Sequence, residues 1–368
     1  MTENKPIVEI EVPIPGAPYL VYIGVGLTSR LTRFCSELPD AEKVFVITQP
    51  ALMEQEEKLS AALEETSIES HVLYVKDGEA AKSLASVGSL YEELARMKAH
   101  RRDVVIALGG GVVTDVAGFV ASTFNRGMAL VNAPTTLLGQ VDASVGGKTG
   151  VNLDAAKNLV GTIYQPRAVF CDVEQLRTLP REELISGLAE VVKYGFIGDS
   201  SLLDDVDKET QALLKAEAHL TSDIVARSVA IKAAIVAEDE REDGVRLHLN
   251  YGHTFAHAIE RTSGYGQIRH GEAVSLGMVA AALLAEEMGL VSTGVVDLHR
   301  TVLTGVGLPV KATLDLDALS EAWRHDKKYR GGVRFVLLAE TQDGSLSPRA
   351  NVDAPRHAIA RAIERLSE

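Results

Sequence analysis

The chain has 368 residues, 46% hydrophobic and 24% charged, which excludes a disordered or low-complexity protein and leaves room for two buried cores. Its formal net charge of −14 excludes a general nucleic-acid binder, so an anionic ligand must meet a local cluster of cations on an acidic body. Cys35 and Cys171 are far apart and neither belongs to a CxxC pair, which excludes a disulfide framework and a thiolate zinc site and makes the reduced cytoplasm the expected compartment.

In chain order, the opening "MTENKPIVEIEVPIPG" lacks the basic and apolar segments of a secretion signal. Short β-branched runs then alternate with amphipathic helices. "KVFVITQP" (43–50), "ESHVLYV" (69–75), "RDVVIALGGG" (102–111), "MALVNAPTT" (128–136) and "RAVFCDV" (167–173) read as strands, several apolar enough to be buried on both faces. "EQEEKLSAALEE" (54–65) and "LASVGSLYEELARMKA" (84–99) read as helices between them. This alternation predicts an α/β domain, a Rossmann-like doubly wound parallel sheet with ligands at the carboxyl ends of the strands, over residues 1–180. From "REELISGLAEVVKYGFI" onward helical periodicity dominates, with one β-like patch at "VRFVLLAE" (333–340), so residues 181–368 are expected to form a second, mainly helical domain. The longest apolar helical run, Ala273 to Ala285, ends at Glu286 and Glu287. It falls short of the roughly 20 residues that span a bilayer.

Three stretches carry chemistry. "ALGGGVVTDVAG" (107–118) places glycines where a strand turns into a helix, a position at which backbone amides and the helix N-terminus favour a pyrophosphate. The full dinucleotide fingerprint is not met, because Thr114 stands in the third glycine's place, and a tight structural turn is the alternative. "VDASVGGKTGVN" (141–152) ends like a P-loop, but Asp142 occupies the earlier glycine position, so Lys148 reads as an anion-seeking cation without ATP chemistry. Arg126, Lys157 and Asn158 add donors suited to an oxyanion, and a solvated surface charge is the alternative for each.

"RLHLNYGHTFAHAIE" (246–260) is the third. Arg246, Asn250, His253 and His257 are spaced by four, three and four, which predicts one polar stripe on a helix. The zincin pattern fails at Thr254, where a glutamate is required. With Glu190 of "SGLAEVVKYG" and His270 of "IRHGEAV", however, the chain holds a carboxylate and imidazoles of the kind that make a catalytic metal site with an open position.

Taken in order, "DGEAAKSL", "GGGVVTDVAGF", "PTTLLGQVDASVGGKTGVN", "KNLVG", "GLAEVVKYG", "LNYGHTFAHAIE", "RHGEAVSLGM" and "DKKYRGGVRFVLL" resemble the 3-dehydroquinate synthases, the shikimate-pathway branch of the sugar phosphate cyclases, over roughly Asp77 to Leu338. The resemblance implies a zinc or cobalt site of Glu190, His253 and His270, with His257 turned to substrate. It implies an NAD site at Asp77, Glu79, Lys82, Gly110, Gly111, Val112, Asp115, Thr135, Thr136 and Thr178, with Lys148 and Lys157 beside both nucleotide and substrate. It assigns substrate binding to Arg126, Asp142, Lys148, Asn158, Lys193, Lys232, Arg246, Asn250, His257 and Lys328 or its neighbour Lys327. The adenosine end of the nucleotide is expected in the loosely matching first 72 residues, near Gln49. A homodimer is the expected assembly, and no nucleic-acid or membrane partner is expected.

The implied substrate, 3-deoxy-D-arabino-heptulosonate 7-phosphate, carries a carboxylate and a phosphate, which accounts for so many cations in an acidic chain. Its C5 is oxidised against NAD, the ketone acidifies the C6 proton, and phosphate leaves by β-elimination. The hydride then returns, the ring opens, and an intramolecular aldol closes the carbocycle. His257 is the expected proton relay and Glu242 a second candidate base. Cyclases of sedoheptulose 7-phosphate or glucose 6-phosphate are the nearest alternative; Lys232, Arg246 and Asn250 keep the pattern that suits a carboxylated substrate. A metal-dependent polyol dehydrogenase and a silent scaffold of the same fold are the others.

Overall fold

The computed structural model describes residues 7–153, 156–264, 267–324 and 332–368. The chain forms two compact units: residues 1–180 with 215–237, and residues 181–214 with 238–368. The division is therefore not a single cut, because one helix from the second half of the chain returns to the first unit.

The first unit is built on a seven-stranded sheet. Its strands are β1 (Val8–Val12), β2 (Tyr19–Gly24), β3 (Lys43–Thr48), β4 (Glu69–Tyr74), β5 (Val104–Gly109), β6 (Ala129–Pro134) and, after a separate hairpin of β7 (Lys148–Leu153) and β8 (Ala156–Ile163), β9 (Ala168–Asp172). The order across the sheet is β1-β2-β9-β6-β5-β3-β4. Only the edge pair β1–β2 is antiparallel. The central strands are apolar throughout because both faces are covered. Phe45, Ile47, Val105 and Ala107 point into one core, while Val44, Val46, Val104 and Ile106 point into the other. Helices α1 (Thr28–Ser36), α2 (Met53–Glu64), α3 (Leu84–Arg96) and α4 (Gly111–Thr123) lie between the strands in sequence. The strands expected from the sequence are all present; β1, β2, β7 and β8 were not among them.

The second unit contains α5 (Arg181–Ile197) and α6 (Ser201–Leu213). Next in the chain comes α7 (Ala218–Glu238), whose residues up to Ala237 belong to the first unit. The second unit resumes with α8 (His253–Thr262), α9 (His270–Glu287), α10 (Thr293–Gly305) and α11 (Leu316–Arg324), then the hairpin β10 (Phe335–Glu340) and β11 (Leu346–Val352), and α12 (Arg356–Leu366). Helix α9 is buried on every side from Ala273 to Ala285, so the long apolar run is a core helix. No helix among the described residues is long and apolar enough to cross a membrane.

Two glycines of α9 set how closely its neighbours approach. A Cβ on Gly271 would stand 2.2 Å from the Ser186 carbonyl oxygen of α5, and one on Gly277 would stand 2.2 Å from the Gly252 carbonyl oxygen just before α8. Backbone can pack on backbone at these points only because no side chain intervenes. The contacts hold α5 and α8 against α9, and each helix carries one member of the site described next.

Candidate active site

Glu190 lies in α5, His253 opens α8 and His270 opens α9. Glu190 Oε1 is 3.3 Å from Nε2 of each histidine. One ligand atom from each of the three lies within 4.8 Å of the others. Glu190 is fully buried, and neither of its oxygens has a well-formed hydrogen bond. A buried carboxylate is costly unless it is paired or coordinates a metal. Lys193, one turn on and equally buried, forms an ion pair with it. Burial alone would push the Glu190 carboxyl up; the charge of Lys193 and the adjacent imidazoles of His253 and His270 outweigh it and hold the group well below the usual carboxylate range.

The far nitrogens of both imidazoles are occupied as a metal site requires. His253 Nδ1 is 3.1 Å from the Tyr251 carbonyl oxygen, which can only accept, so Nδ1 carries the proton and Nε2 is free to ligate. His270 Nδ1 faces the buried carboxylate of Glu260 at 3.7 Å. Burial lowers the affinity of His270 for a proton, but the carboxylates of Glu190 and Glu260 dominate and raise its pKa to about 10. These carboxylates favour the protonated ring in the metal-free protein, so metal binding competes with a proton there. Two imidazoles and one buried carboxylate, with their ligand atoms within 4.8 Å of one another, fit a divalent zinc-type ion with a position left for substrate.

The polar stripe expected from Arg246 to His257 is not one continuous helix. Val245–Asn250 is a 3-10 turn, and Gly252, at φ +78°, breaks the chain before α8 begins. A side chain there would also strike Met278, whose backbone nitrogen would lie 2.9 Å from the added Cβ. Arg246 and Asn250 therefore sit on the 3-10 turn, and His253 and His257 on α8, their ring centroids 5.5 Å apart. Arg246 is 1% exposed and donates to the Glu240 carbonyl oxygen. Asn250 Nδ2 donates to Glu242 Oε1 at 2.7 Å, and Glu242 is held in the left-handed region at φ +66°. Non-glycine residues rarely adopt that backbone, and such strain gathers at functional sites. Lys327 and Lys328 lie outside the described residues.

Behind His253 lies a support that sequence reasoning missed. His299 of α10 is wholly buried, its ring stacked on Phe196 with centroids 3.5 Å apart. Its Nδ1 donates to the Val295 carbonyl at 2.7 Å, so bare Nε2 accepts from the Tyr251 hydroxyl, also at 2.7 Å. Tyr251 is thus fixed at both ends, by its hydroxyl and by its carbonyl on His253. Burial lowers the His299 pKa to about 4. The unfolded chain takes up a proton near pH 6.5 that the folded protein refuses until near pH 4, so stability is fully present above pH 6.5 and falls as pH drops through that window. The loss should approach about 3 kcal/mol, and denaturant melts should show this acid limb flattened in His299→Gln, which keeps a donor and an acceptor without titrating. A limb of equal depth in both proteins would rule out His299 as its source.

The first unit gathers the remaining candidates. Strand β5 ends at Gly109, and Gly110 precedes α4, whose first turn carries no acidic residue. A Cβ on Gly110 would lie 3.0 Å from Thr136 Cγ2, so only glycine lets the turn pack this closely at the helix N-terminus, where a nucleotide's pyrophosphate would be favoured. Val112 is in the first turn of that helix, and Thr135, whose amide donates to the Gly109 carbonyl oxygen at 3.1 Å, follows β6 beside it. Lys82 is buried and donates to Asp115 Oδ2 and Asn158 Oδ1, each at 2.6 Å. Glu79 lies in the 3-10 turn Glu79–Ala81 and accepts from Asn152. Asp77 precedes it, 3.4 Å from the Ala51 amide, and Gln49 donates to the Lys76 carbonyl oxygen at 2.8 Å. Thr178, on the 3-10 turn that follows β9, meets Gln55 at 3.3 Å.

Asp142 stands in a π-helical turn, Gly139–Ala143. Lys232 of α7 donates to both its carbonyl oxygen and its Oδ1 at 2.7 Å, which is why α7 belongs to this unit. Arg126, at φ +62°, ends the turn after α4; Lys148 opens β7; Lys157 and Asn158 lie in β8.

A family model for the 3-dehydroquinate synthase N-terminal region matches residues 72–186, and one for the 3-dehydroquinate synthase C-terminal region matches residues 187–329. The chain is 47% identical over 325 residues to a 3-dehydroquinate synthase of Mycolicibacterium vanbaalenii, covering 87% of this chain and 89% of that protein. Among solved structures it is similar to 2-deoxy-scyllo-inosose synthase complexed with carbaglucose-6-phosphate, NAD+ and Co2+, with TM-score 0.84, 26% identity and coverage of 97% and 99% of the two chains. It is also similar to 2-epi-5-epi-valiolone synthase from Streptomyces hygroscopicus with NAD+ and Zn2+ bound, with TM-score 0.86, 27% identity and coverage of 95% and 96%.

Proposed function

The chain belongs to the 3-dehydroquinate synthase family, and from that membership we propose that it converts 3-deoxy-D-arabino-heptulosonate 7-phosphate to 3-dehydroquinate and phosphate. The observation that carries the reading is the trio Glu190, His253 and His270, whose ligand atoms lie within 4.8 Å of one another around the buried Glu190 carboxylate, in a chain 47% identical to a relative of that name.

When bound, a zinc or cobalt ion supplies Lewis acidity to the substrate's hydroxyls, and NAD supplies a reversible acceptor for the C5 hydride. Glu190, His253 and His270 hold the ion, and Lys193 keeps Glu190 ionised for it. The amides around Gly110 and Gly111, with Val112, Thr135 and Thr136, receive the pyrophosphate; Asp77, Glu79, Lys82, Asp115, Lys157 and Thr178 complete the nucleotide site. Lys148, Asn158, Arg126 and Lys328 bind the substrate's anionic groups, and Arg246, Asn250 and Lys232 take its carboxylate end. Lys232 also fixes Asp142 for a substrate hydroxyl. His257 moves the hydroxyl proton as C5 is oxidised, and Glu242 is the second base. The departing phosphate would carry away the C6 proton as it leaves, held by Lys148, Asn158 and Arg126, and the carbocycle would then close by an intramolecular aldol. The reading includes a cytoplasmic location, in keeping with the buried free thiols of Cys35 and Cys171, and a homodimer.

The test is phosphate release by the purified protein with zinc and catalytic NAD+, comparing the heptulosonate phosphate with sedoheptulose 7-phosphate. Release from the carboxylated substrate without accumulation of NADH is the expected result. Preference for sedoheptulose 7-phosphate moves the protein to another cyclase branch, and stoichiometric NADH would mark a dehydrogenase.

A further inference from the structure

The reading above gives Glu79 to the nucleotide and Asn158 to the substrate, and one residue with no assigned role joins them. Asn152 Nδ2 donates to Glu79 Oε1 at 2.6 Å, its Oδ1 accepts from the Asn158 amide at 2.9 Å, and its own amide donates to the Lys82 carbonyl oxygen at 2.8 Å. Asn158 Oδ1 in turn accepts from Lys82 Nζ, which also binds Asp115. Asn152, Asn158 and Lys82 close a ring through side-chain and backbone hydrogen bonds, from which Glu79 and Asp115 hang at either end, across the Glu79–Ala81 turn, the β7–β8 hairpin and α4. The β7–β8 register shifts between Val151 and Leu153, so Asn152 sits at an irregularity of the kind that re-aims side chains beside active sites. Asn158 is held at φ +55°, a left-handed backbone that the hydrogen bond from its N–H to Asn152 Oδ1 helps to fix.

We propose that Asn152 is a positioning residue that holds the nucleotide-side carboxylate of Glu79 with one arm and the substrate-side Asn158 with the other. The inference rests on the assignment of Glu79 and Asn158 in the proposed function. An asparagine suits the post because it donates and accepts at once. A carboxylate at this position keeps the acceptor for the Asn158 amide but opposes Glu79, so the two arms can be separated.

The experiment measures NAD+ affinity by calorimetry without substrate, and KM and kcat by phosphate release, in wild type, Asn152→Ala and Asn152→Asp, with thermal melts as the folding control. Asn152→Ala should raise both the NAD+ dissociation constant and the substrate KM by about threefold to tenfold, the range for one lost hydrogen bond on each side. Asn152→Asp should weaken NAD+ by about tenfold or more and leave the substrate KM within about twofold. A merely structural role would instead lower the melting temperature and the active fraction with both constants unmoved in the folded protein. That outcome, or equal damage to both constants in the two variants, overturns the proposal. Glu79→Ala and Asn158→Ala locate a failure: if neither moves its own ligand's constant, the site assignment is wrong and the inference falls with it. If each does while Asn152→Ala moves neither, the assignment stands and the link alone is refuted.

Discussion

Replacing His270 by alanine should strip the protein of its metal and reduce phosphate release by about a thousandfold or more, the scale of several kcal/mol of Lewis-acid stabilisation. His270 supplies one of only two imidazoles in the cluster, and its other nitrogen is braced by Glu260. Its loss leaves Glu190 and His253, too few ligands to compete with water for a zinc-type ion. Metal analysis after dialysis and a turnover assay check both halves. His270→Ala protein that keeps stoichiometric metal would overturn the ligand assignment. A scaffold that merely kept the fold would lose no function on this change, so the same variant separates an enzyme from a silent relative. In wild type, zinc affinity should climb with pH, because a proton held with a pKa of about 10 must leave His270 before the metal binds. A flat profile from pH 6 to pH 9 would show that His270 is already neutral there.

The second large effect is expected from Lys193→Met in the metal-free protein. Lys193 and Glu190 are 1% and 0% exposed, and the lysine is the permanent cation beside a carboxylate that the fold keeps ionised. Removing Lys193 leaves the buried carboxylate with only the neighbouring imidazoles to compensate it, at a cost of up to about 3–5 kcal/mol. A bound divalent ion restores positive charge beside the same carboxylate, so added zinc should recover much of the loss. Melting of the chelator-treated variant against wild type, with and without zinc, reads both effects. A variant as stable as wild type without metal would mean that Glu190 takes up a proton instead. The assay should also show turnover well below wild type even with zinc restored, since Lys193 is assigned to substrate.

The stretches at residues 43–50, 102–111, 128–136 and 167–173 were legible as strands because their apolar runs are buried on both faces, and 69–75, the half-exposed edge strand, by its β-branched and aromatic residues. The hairpin of β7 and β8 was not, since "GGKTGVN" carries the glycines of a turn and gives a weak strand signal. The stripe expected on one helix from Arg246 to His257 is divided between a 3-10 turn and α8. Spacing alone cannot reveal that Gly252 takes a left-handed conformation, which is forced by the approach of α9. Glu260 had a signal, seven residues after His253 on the same helix, whereas His299 had none, because its partner Tyr251 is 48 residues away in the chain.

The sequence by itself determined the strand–helix alternation, the ordered motifs and the family they point to, because these depend on local periodicity and on residue types fixed at short spacings. Only the tertiary structure decided that Glu190, His253 and His270 meet within 4.8 Å, that Lys193 and Glu260 face them, and that α7 returns to the first unit through Lys232 and Asp142. Those contacts come from helices packing through small residues and from buried charges finding partners, and both depend on distances in space that no spacing along the chain encodes.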